Sequence, residues 1–354
     1  MDSDELRVKY AKERRKKYAF ILVCVALAVA VTFISLAVGT RNLSVEQVFD
    51  LVINHLKGDV SPEDAYDDRI IWEYRIPRAF LAVIAGCILA IAGTVMQSVM
   101  KNPLADPYTT GVSSGAVFGM AIAAVLGFRI GNGFVGEYAT VLNAIVFAMV
   151  PVAVIIIMSP FFRKSPSTLI LAGVATSYLF SSLTALLLVS TSSENLAHVY
   201  HWEIGNLAEL GWTPVYVLFV VLLVGAGILW PMANKLNLMS LDDKDAKALG
   251  LDGKNLRIIC LTVLSFMTAC LIAFTGIIGF VGLVIPHIVR LILGSDNKFI
   301  IPAAMAFGAF FLLACDCLAR WMDLGATIPI GVVTSFIGAP IFLFLIIREK
   351  KEVW

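Results

Sequence analysis

Residues whose types and spacing suit catalysis are scarce in this chain of 354 residues. The phosphate-binding pattern Gly-x-x-x-x-Gly-Lys-Ser/Thr does not occur, since the segment from Gly250 to Lys254 is too short and Asn255 follows it. The zinc-binding pattern His-Glu-x-x-His is also missing from the sequence. We therefore predict that the chain is not an enzyme and hydrolyses no nucleotide itself.

Asp316 and Arg320 are unusual charges, because they stand in an otherwise apolar run. They are four residues apart, so a helix would place them side by side as an ion pair, which lowers the cost of both charges. A proton relay is the alternative, but it needs carboxylates nearer the middle of a membrane span. Cys315 and Cys317 would point to different faces of that helix, so we predict no metal site.

Arg75 and Arg78 precede another apolar run and frame Pro77. Pro77 suits the first turn of a helix, where its missing N–H is not needed. Two arginines at that end oppose the helix macrodipole, so helix stability does not explain them. They either extend to lipid phosphates or form an outward-facing pair that receives carboxylates of a partner.

Prolines and an amide interrupt the apolar pattern between residues 93 and 116. Pro103 and Pro107 break the helix, and Gln97 places an amide in the apolar run before them. Non-helical backbone at membrane depth is tolerated only inside protein or beside a water-filled path. The segment therefore either lines such a path or is a simple turn outside the membrane.

A short helix with polar ends is predicted in the longest polar stretch between the later apolar runs. Asp242 or Asp243 can cap its start, and Gly250 can end it. Ala246 and Leu249 would lie on one face of this helix. A surface that docks another protein and a solvated loop helix without a partner both fit this pattern.

The composition indicates that most of the chain lies in a membrane. Hydrophobic residues make up 59% of it and charged residues 15%, with a mean hydropathy of +0.87. Soluble domains have about 45–50% apolar and about 25% charged residues, so we predict an all-α membrane protein with about ten transmembrane helices. The predicted spans are 18–38, 77–99, 107–127, 138–158, 167–189, 213–232, 258–275, 278–293, 300–319 and 329–347.

The basic residues predict the orientation. With the N-terminus in the cytoplasm, 20 of the 27 Lys and Arg residues fall on the inside and seven on the outside. An even number of spans then places both termini in the cytoplasm. The first apolar run is longer than the 7–15 residues of a signal peptide, so it is predicted to be an uncleaved helix. The chain divides into a basic N-terminus (1–17), a membrane domain (18–347) and a cytoplasmic tail (348–354).

The sequence resembles the FecCD permease family, the membrane subunits of ABC importers for ferric siderophores, haem and vitamin B12. The resemblance runs from about residue 75 to the C-terminus, and seven landmarks occur in one order, which makes the signal specific. The landmarks are Arg75-Ile-Pro-Arg78, Gln97 with Asn102-Pro-Leu-Ala-Asp-Pro107, Gly111-Val-Ser-Ser-Gly-Ala116, Leu171-Ala-Gly173, Ala246-Lys-Ala-Leu-Gly250 with Arg257, Gly279-Phe-Val-Gly-Leu-Val-Ile-Pro-His-Ile-Val-Arg290, and Pro329-Ile-Gly-Val-Val-Thr334 with Gly338-Ala-Pro340.

The resemblance implies a type II ABC importer in the prokaryotic cell membrane. Two permease subunits, identical copies or paralogues, would form the path between them. Two ATPase subunits on the cytoplasmic side would bind ATP and Mg²⁺, whereas this chain would bind no cofactor and, with a net charge of +1, no nucleic acid. An extracytoplasmic substrate-binding protein would meet three outward arginines, which here match Arg75, Arg78 and Arg320.

The resemblance also implies roles for residues along the path. The loop after the second span, with Asn102 and Leu104, and the turn before the fifth span, with Ser165 and Ser167, would form cytoplasmic gates. Residues implied to line the path, in the fifth and tenth spans, are Thr176, Ser177, Ser181, Thr334 and Ser335.

The polar segment 241–257 would be the coupling loop that enters a cleft of the ATPase. The residues implied to make this contact are Asp243, Ala246, Leu249, Gly250 and Arg257. The family commonly has Gly before the acidic residue, whereas this chain has Asp242 before Asp243. We expect the additional negative charge to tune which ATPase is accepted.

Two other classes of function are weaker alternatives. An ion-coupled secondary transporter would need carboxylates near the membrane midplane, and these are scarce. A membrane-embedded enzyme would need a cluster of His, Asp or Cys residues that the sequence does not offer.

Overall fold

The computed structural model describes residues 3–39, 41, 43–130, 138–158, 166–208, 210–241, 243–322 and 328–349. Their regular secondary structure is helical. A π-helical segment (Ile70–Arg75) precedes α4, and a 3₁₀ turn (Pro107–Thr110) precedes α5. The α-helices are α1 (Ser3–Ala37), α2 (Val45–Lys57), α3 (Ala65–Arg69), α4 (Ile76–Met100), α5 (Val112–Leu126), α6 (Ala139–Met158), α7 (Pro166–Val189), α8 (Ser193–Glu203), α9 (Trp212–Leu229), α10 (Ala233–Met239), α11 (Asp243–Ala248), α12 (Gly253–Thr275), α13 (Val281–Leu293), α14 (Asn297–Trp321) and α15 (Ile330–Glu349).

Each of the ten predicted spans coincides with one of these helices, which confirms the all-helical membrane architecture. Within the described residues, eight helical segments are long and apolar enough to cross a membrane. The other two predicted spans correspond to the shorter apolar helices α5 and α13. The orientation of the termini stays a prediction.

Helix α2 was not predicted, although its start carries a local signal. Ser44 accepts a hydrogen bond from the backbone N–H of Gln47, and the Gln47 side chain accepts one from the backbone N–H of Ser44. This reciprocal pair is a capping box. At the other end, Gly58 has a φ of +72°, the left-handed conformation that commonly ends a helix.

Helix α4 lies at the centre of the bundle, where glycines allow other helices to approach its backbone. A Cβ atom added at Gly93 would lie 1.8 Å from the carbonyl oxygen of Gly282 in α13. One added at Gly86 would lie 2.2 Å from the carbonyl oxygen of Gly308 in α14. Small residues at such crossings let membrane helices pack backbone to backbone.

Helix α1 lies at the edge of the bundle. It packs against α14, but long apolar side chains such as Leu22 and Val29 stay exposed. We call the end of the bundle where α1 ends and α4 begins the arginine end. The opposite end, where α4 ends and α10 and α11 lie, we call the loop end.

Candidate functional sites at the two ends of the bundle

A buried group of charges, which we call the arginine cluster, lies at the arginine end and consists of Arg75, Arg78, Asp316 and Arg320. Asp316 is fully buried in α14. Its Oδ1 accepts a hydrogen bond from Nε of Arg78 at 2.8 Å, and its Oδ2 lies 3.0 Å from a terminal nitrogen of Arg320. The predicted ion pair within one helix is therefore confirmed, with Arg78 of α4 as an additional member.

Two members of the arginine cluster also cap the C-terminus of α1. Arg75 donates to the carbonyl oxygen of Leu36 at 2.6 Å, and Arg320 donates to the carbonyl oxygen of Ser35 at 2.7 Å. Arg75 bonds to Ala37 as well, and Arg320 to Val38. The last carbonyls of a helix have no partners within it and carry partial negative charge. The two arginines therefore stabilise the C-terminus of α1 by pairing with its last carbonyl groups.

The expected outward exposure of these arginines is wrong. Arg75 is 6% exposed, and the side chains of Arg78 and Arg320 are 13% and 10% exposed. The physical reason is that the carbonyl oxygens and the carboxylate already hold the guanidinium groups. Sequence reasoning missed this because the carbonyl partners lie more than 30 residues away in the chain and carry no side-chain signal. A docking role for the three arginines stays a prediction.

The proposed gate segment begins where α4 ends. Lys101 closes α4 with a φ of +51°, a conformation that few side chains favour. Asn102 accepts a hydrogen bond at 2.9 Å from the backbone N–H of Leu104, whose side chain is 46% exposed. Ser165, from the second half of the predicted gate, lies outside the described residues. Ser167 lies in α7, but its side chain is outside the described part.

Asp106 ends the gate segment and fixes the turn that follows. Its Oδ1 accepts a hydrogen bond from the backbone N–H of Tyr108 at 2.8 Å. Burial raises the pKa of Asp106 to about 6, because the ionised form loses its hydration, and the hydrogen bond offsets part of that rise. The gate segment is thus held from both sides by short-range hydrogen bonds.

A polar network connects the ends of several helices at the loop end. Arg290 of α13 donates to the Ser98 hydroxyl of α4 at 2.8 Å and to Oδ1 of Asn297 in α14 at 3.1 Å. Asn237 of α10 donates to Asp296 at 2.8 Å. A cavity of about 520 Å³ lies beside this network and also reaches the gate segment.

The short helix predicted in the polar stretch is present as α11, but the two residues predicted to share a face differ in burial. Ala246 is buried, whereas Leu249 is 61% exposed. The reason is that α11 ends at residue 248 and Gly250 adopts a φ of +79°. The backbone N–H of Leu251 donates to the carbonyl of Ala246, which is the pattern of a Schellman motif. Leu249 is the last residue before this turn; its backbone N–H still bonds to the carbonyl of Asp245, and its side chain is exposed.

The remaining coupling residues are only partly described. Asp242 lies outside the described residues, and of Asp243 only the backbone, within α11, is described. Arg257 lies near the start of α12 and is half-buried. A hydrogen bond joins this region to the gate segment, because Nζ of Lys101 donates to the backbone carbonyl oxygen of Leu241 at 2.8 Å.

The predicted path-lining residues of α7 differ in exposure, and their role stays a prediction. Thr176 and Ser177 are half-buried and donate their hydroxyl hydrogens to the carbonyl of Gly173 at 2.9 Å. Ser181 is exposed. With their hydroxyl groups paired to the helix itself, Thr176 and Ser177 present a surface of low polarity.

On α15 one path-lining prediction fails. Thr334 is fully buried and donates to the carbonyl of Gly331 at 3.1 Å, so it faces the interior of the chain. Ser335 is half-buried and lines an apolar cavity of about 770 Å³ together with Phe336 and Glu203. Thr334 does not line this cavity, because its side chain points away from it into the packed interior. Burial raises the pKa of Glu203.

Comparisons with known proteins agree with this architecture. A profile of the FecCD transport family matches residues 27–348. The molybdate import system permease protein MolB of Haemophilus influenzae is 35% identical over 337 residues, which cover 94% of this chain and 97% of MolB. The vitamin B12 import system permease protein BtuC of Escherichia coli is 34% identical over 318 residues, which cover 87% of this chain and 94% of BtuC.

A solved structure extends the likeness to the fold. It is described as an inward-facing conformation of a metal-chelate type ABC transporter, and it is 33% identical to this chain. The two superimpose with a TM-score of 0.80, covering 94% of this chain and 99% of that chain.

Proposed function

The chain belongs to the FecCD transport family and is a permease of the ABC importer class, and from this premise we propose that it carries a metal chelate from an extracytoplasmic binding protein into the cytoplasm. The observation that carries the proposal is the match in fold and length to a metal-chelate type transporter, with a TM-score of 0.80 over 94% of the chain. Reconstitution with the cognate ATPase and binding protein, followed by measurement of chelate uptake, is the experiment that tests this function.

The energy for transport is proposed to come from two ATPase subunits, which bind ATP and Mg²⁺. The loop end would face them in the cytoplasm, as the excess of basic residues on that side suggests. The exposed side chain of Leu249 and the neighbouring end of α11 offer an apolar contact to an ATPase cleft. The link from Lys101 to Leu241 would carry displacement of this contact to the gate segment.

The path is proposed to lie between this chain and a second permease subunit, identical or paralogous. Helices α7 and α15 expose large apolar side chains that a partner subunit would cover. Tyr178 is 72% exposed and Phe336 is 82% exposed. Side chains with little charge fit the passage of a bulky chelate, because a path that held its cargo tightly would release it slowly.

The cargo is the finer part of the proposal. MolB and BtuC are named for molybdate and vitamin B12, which differ greatly in size and charge. A metal chelate is favoured here by the solved metal-chelate type transporter. The ligand that co-purifies with the cognate binding protein would identify the substrate. If that ligand were molybdate, the cargo would be molybdate and not a metal chelate.

The binding protein is proposed to dock at the arginine end, outside the membrane. The arginine cluster holds three guanidinium groups and one carboxylate, which leaves a net charge of +2. Such an excess attracts carboxylates of a partner even when the side chains are mostly buried, since charges in a low-dielectric surrounding are weakly screened. Docking therefore depends on the electrostatic field of the arginine cluster and on Arg78, the most exposed of its three arginines.

Replacement of Arg78 by Gln should weaken binding of the binding protein about tenfold and flatten its salt dependence. The change leaves Asp316 paired with Arg320, so the folded state persists. Affinity measured at low and high salt tests this, with the melting temperature as a check on folding. The matched control is Arg69→Gln, which removes an exposed arginine from the same end. Equal affinities of the Arg78 variant and the parent protein would exclude a docking role for Arg78 and leave the cluster with its structural role at the end of α1.

A further inference from the structure

Helix α2 has three distinct faces. Its buried face contains Val48 and Leu51, which pack against the bundle. A second face carries three exposed apolar side chains, which we call the apolar stripe: Val45 (55% exposed), Phe49 (57%) and Leu56 (71%).

The angular order of these faces is informative. With about 100° per residue, the apolar stripe spans about 40° of the helix circumference. Its centre is about a quarter turn from the buried face. Polar side chains, including Glu46, Asp50 and Lys57, occupy the next quarter turn beyond the stripe. The apolar stripe thus lies between the face that packs on the protein and the polar face. This order suits a helix that lies flat on a membrane beside a bundle.

The position of α2 along the chain places it at the membrane boundary. Seven residues (38–44) separate it from the end of α1, which is a candidate membrane span. Phe33 and Ile34, near the end of α1, are 50% and 51% exposed, so the outward surface there is apolar. Helix α2 packs against α1, which keeps the apolar stripe close to this surface.

Contacts with the bundle fix the rotation of α2. Leu43, just before the helix, is buried. Near its end, Nδ1 of His55 lies 2.8 Å from the carboxylate of Asp68, and the imidazole ring stacks on Trp72 with 4.2 Å between ring centroids. Because both ends are held, the stripe cannot turn toward the protein interior.

We propose that α2 is an interfacial helix whose apolar stripe inserts into the lipid leaflet at the arginine end. The packing of α2 against α1 favours lipid over a protein partner, because α1 is a candidate membrane span at the edge of the bundle and is mostly exposed. The polar face of Glu46, Asp50 and Lys57 then points to water. The inserted helix holds the segment that leads to Arg75 at a fixed height above the membrane.

Depth-dependent fluorescence quenching tests this proposal. Single cysteines introduced as Phe49→Cys and Val45→Cys, on the stripe, and Asp50→Cys, on the polar face, are labelled with an environment-sensitive fluorophore. The full-length protein is placed in nanodiscs that contain lipids with a quencher near the headgroup. The parent protein, whose six cysteines are buried or half-buried, gives the labelling background.

The two stripe probes should be quenched at least about threefold more by the lipid-borne quencher than the probe at position 50, and a water-soluble quencher should give the reverse order. Equal quenching at positions 45, 49 and 50 would overturn the proposal. Protection of the stripe probes that appears only with added binding protein, or only with two copies per nanodisc, would also overturn it and assign the stripe to a protein interface.

Discussion

Replacement of Asp316 by Ala is expected to lower the free energy of unfolding by about 3–5 kcal/mol, the usual effect of removing one partner from a buried ion pair. Asp316 is fully buried and holds both Arg78 and Arg320. Without it, the arginine cluster contains three positive charges and no carboxylate. Thermal unfolding in detergent, followed by circular dichroism, measures the change.

The control for Asp316→Ala is Asp59→Ala, which removes an exposed carboxylate at the same end of the molecule. Its melting temperature should equal that of the parent protein, because surface substitutions usually change stability by less than about 0.5 kcal/mol. If Asp316→Ala unfolds at the parent temperature, the cluster does not stabilise the junction of α1, α4 and α14 as described.

Replacement of Gly93 by Val should prevent accumulation of the folded protein. Even a single Cβ atom at Gly93 would lie 1.8 Å from the carbonyl oxygen of Gly282, a backbone atom that cannot turn away. Helices α4 and α13 would have to separate at the centre of the bundle, where overpacking costs more than the 1–3 kcal/mol typical of an adaptable core. The yield of monodisperse protein after size-exclusion chromatography reports the effect.

The matched control is Gly227→Val in α9, where nothing lies within 4 Å of an added Cβ atom. Its yield should match the parent, because the side chain meets open space and valine is a better helix former than glycine. Normal yield of Gly93→Val would mean that α4 and α13 do not approach as closely as the structure has them.

The ten spans could be predicted because each leaves a long apolar run in the sequence, a signal that does not depend on packing. Helix α2 escaped prediction because its 13 residues alternate between apolar and polar types and form no long apolar run, although the pair Ser44 and Gln47 marks its start. The spacing of Asp316 and Arg320 correctly gave their ion pair. Such local signals depend only on residues close in the chain.

The environment of the arginines could not be predicted, because their partners are backbone carbonyls from a distant helix end. The exposure of Leu249 and the burial of Thr334 could not be predicted for a different reason. Each prediction assumed a rotation that depends on where a helix ends or on which neighbour it packs against. Residue type alone does not specify that rotation.

The most direct test of the account is uptake of a labelled ferric chelate by proteoliposomes that contain this chain, its ATPase and the binding protein. We predict that uptake requires ATP and Mg²⁺ on the side of the membrane where the ATPase lies, and that it depends on the binding protein. Uptake should be unchanged when the proton gradient is dissipated. Uptake that continues without ATP and stops when the proton gradient is removed would contradict the account and identify an ion-coupled transporter.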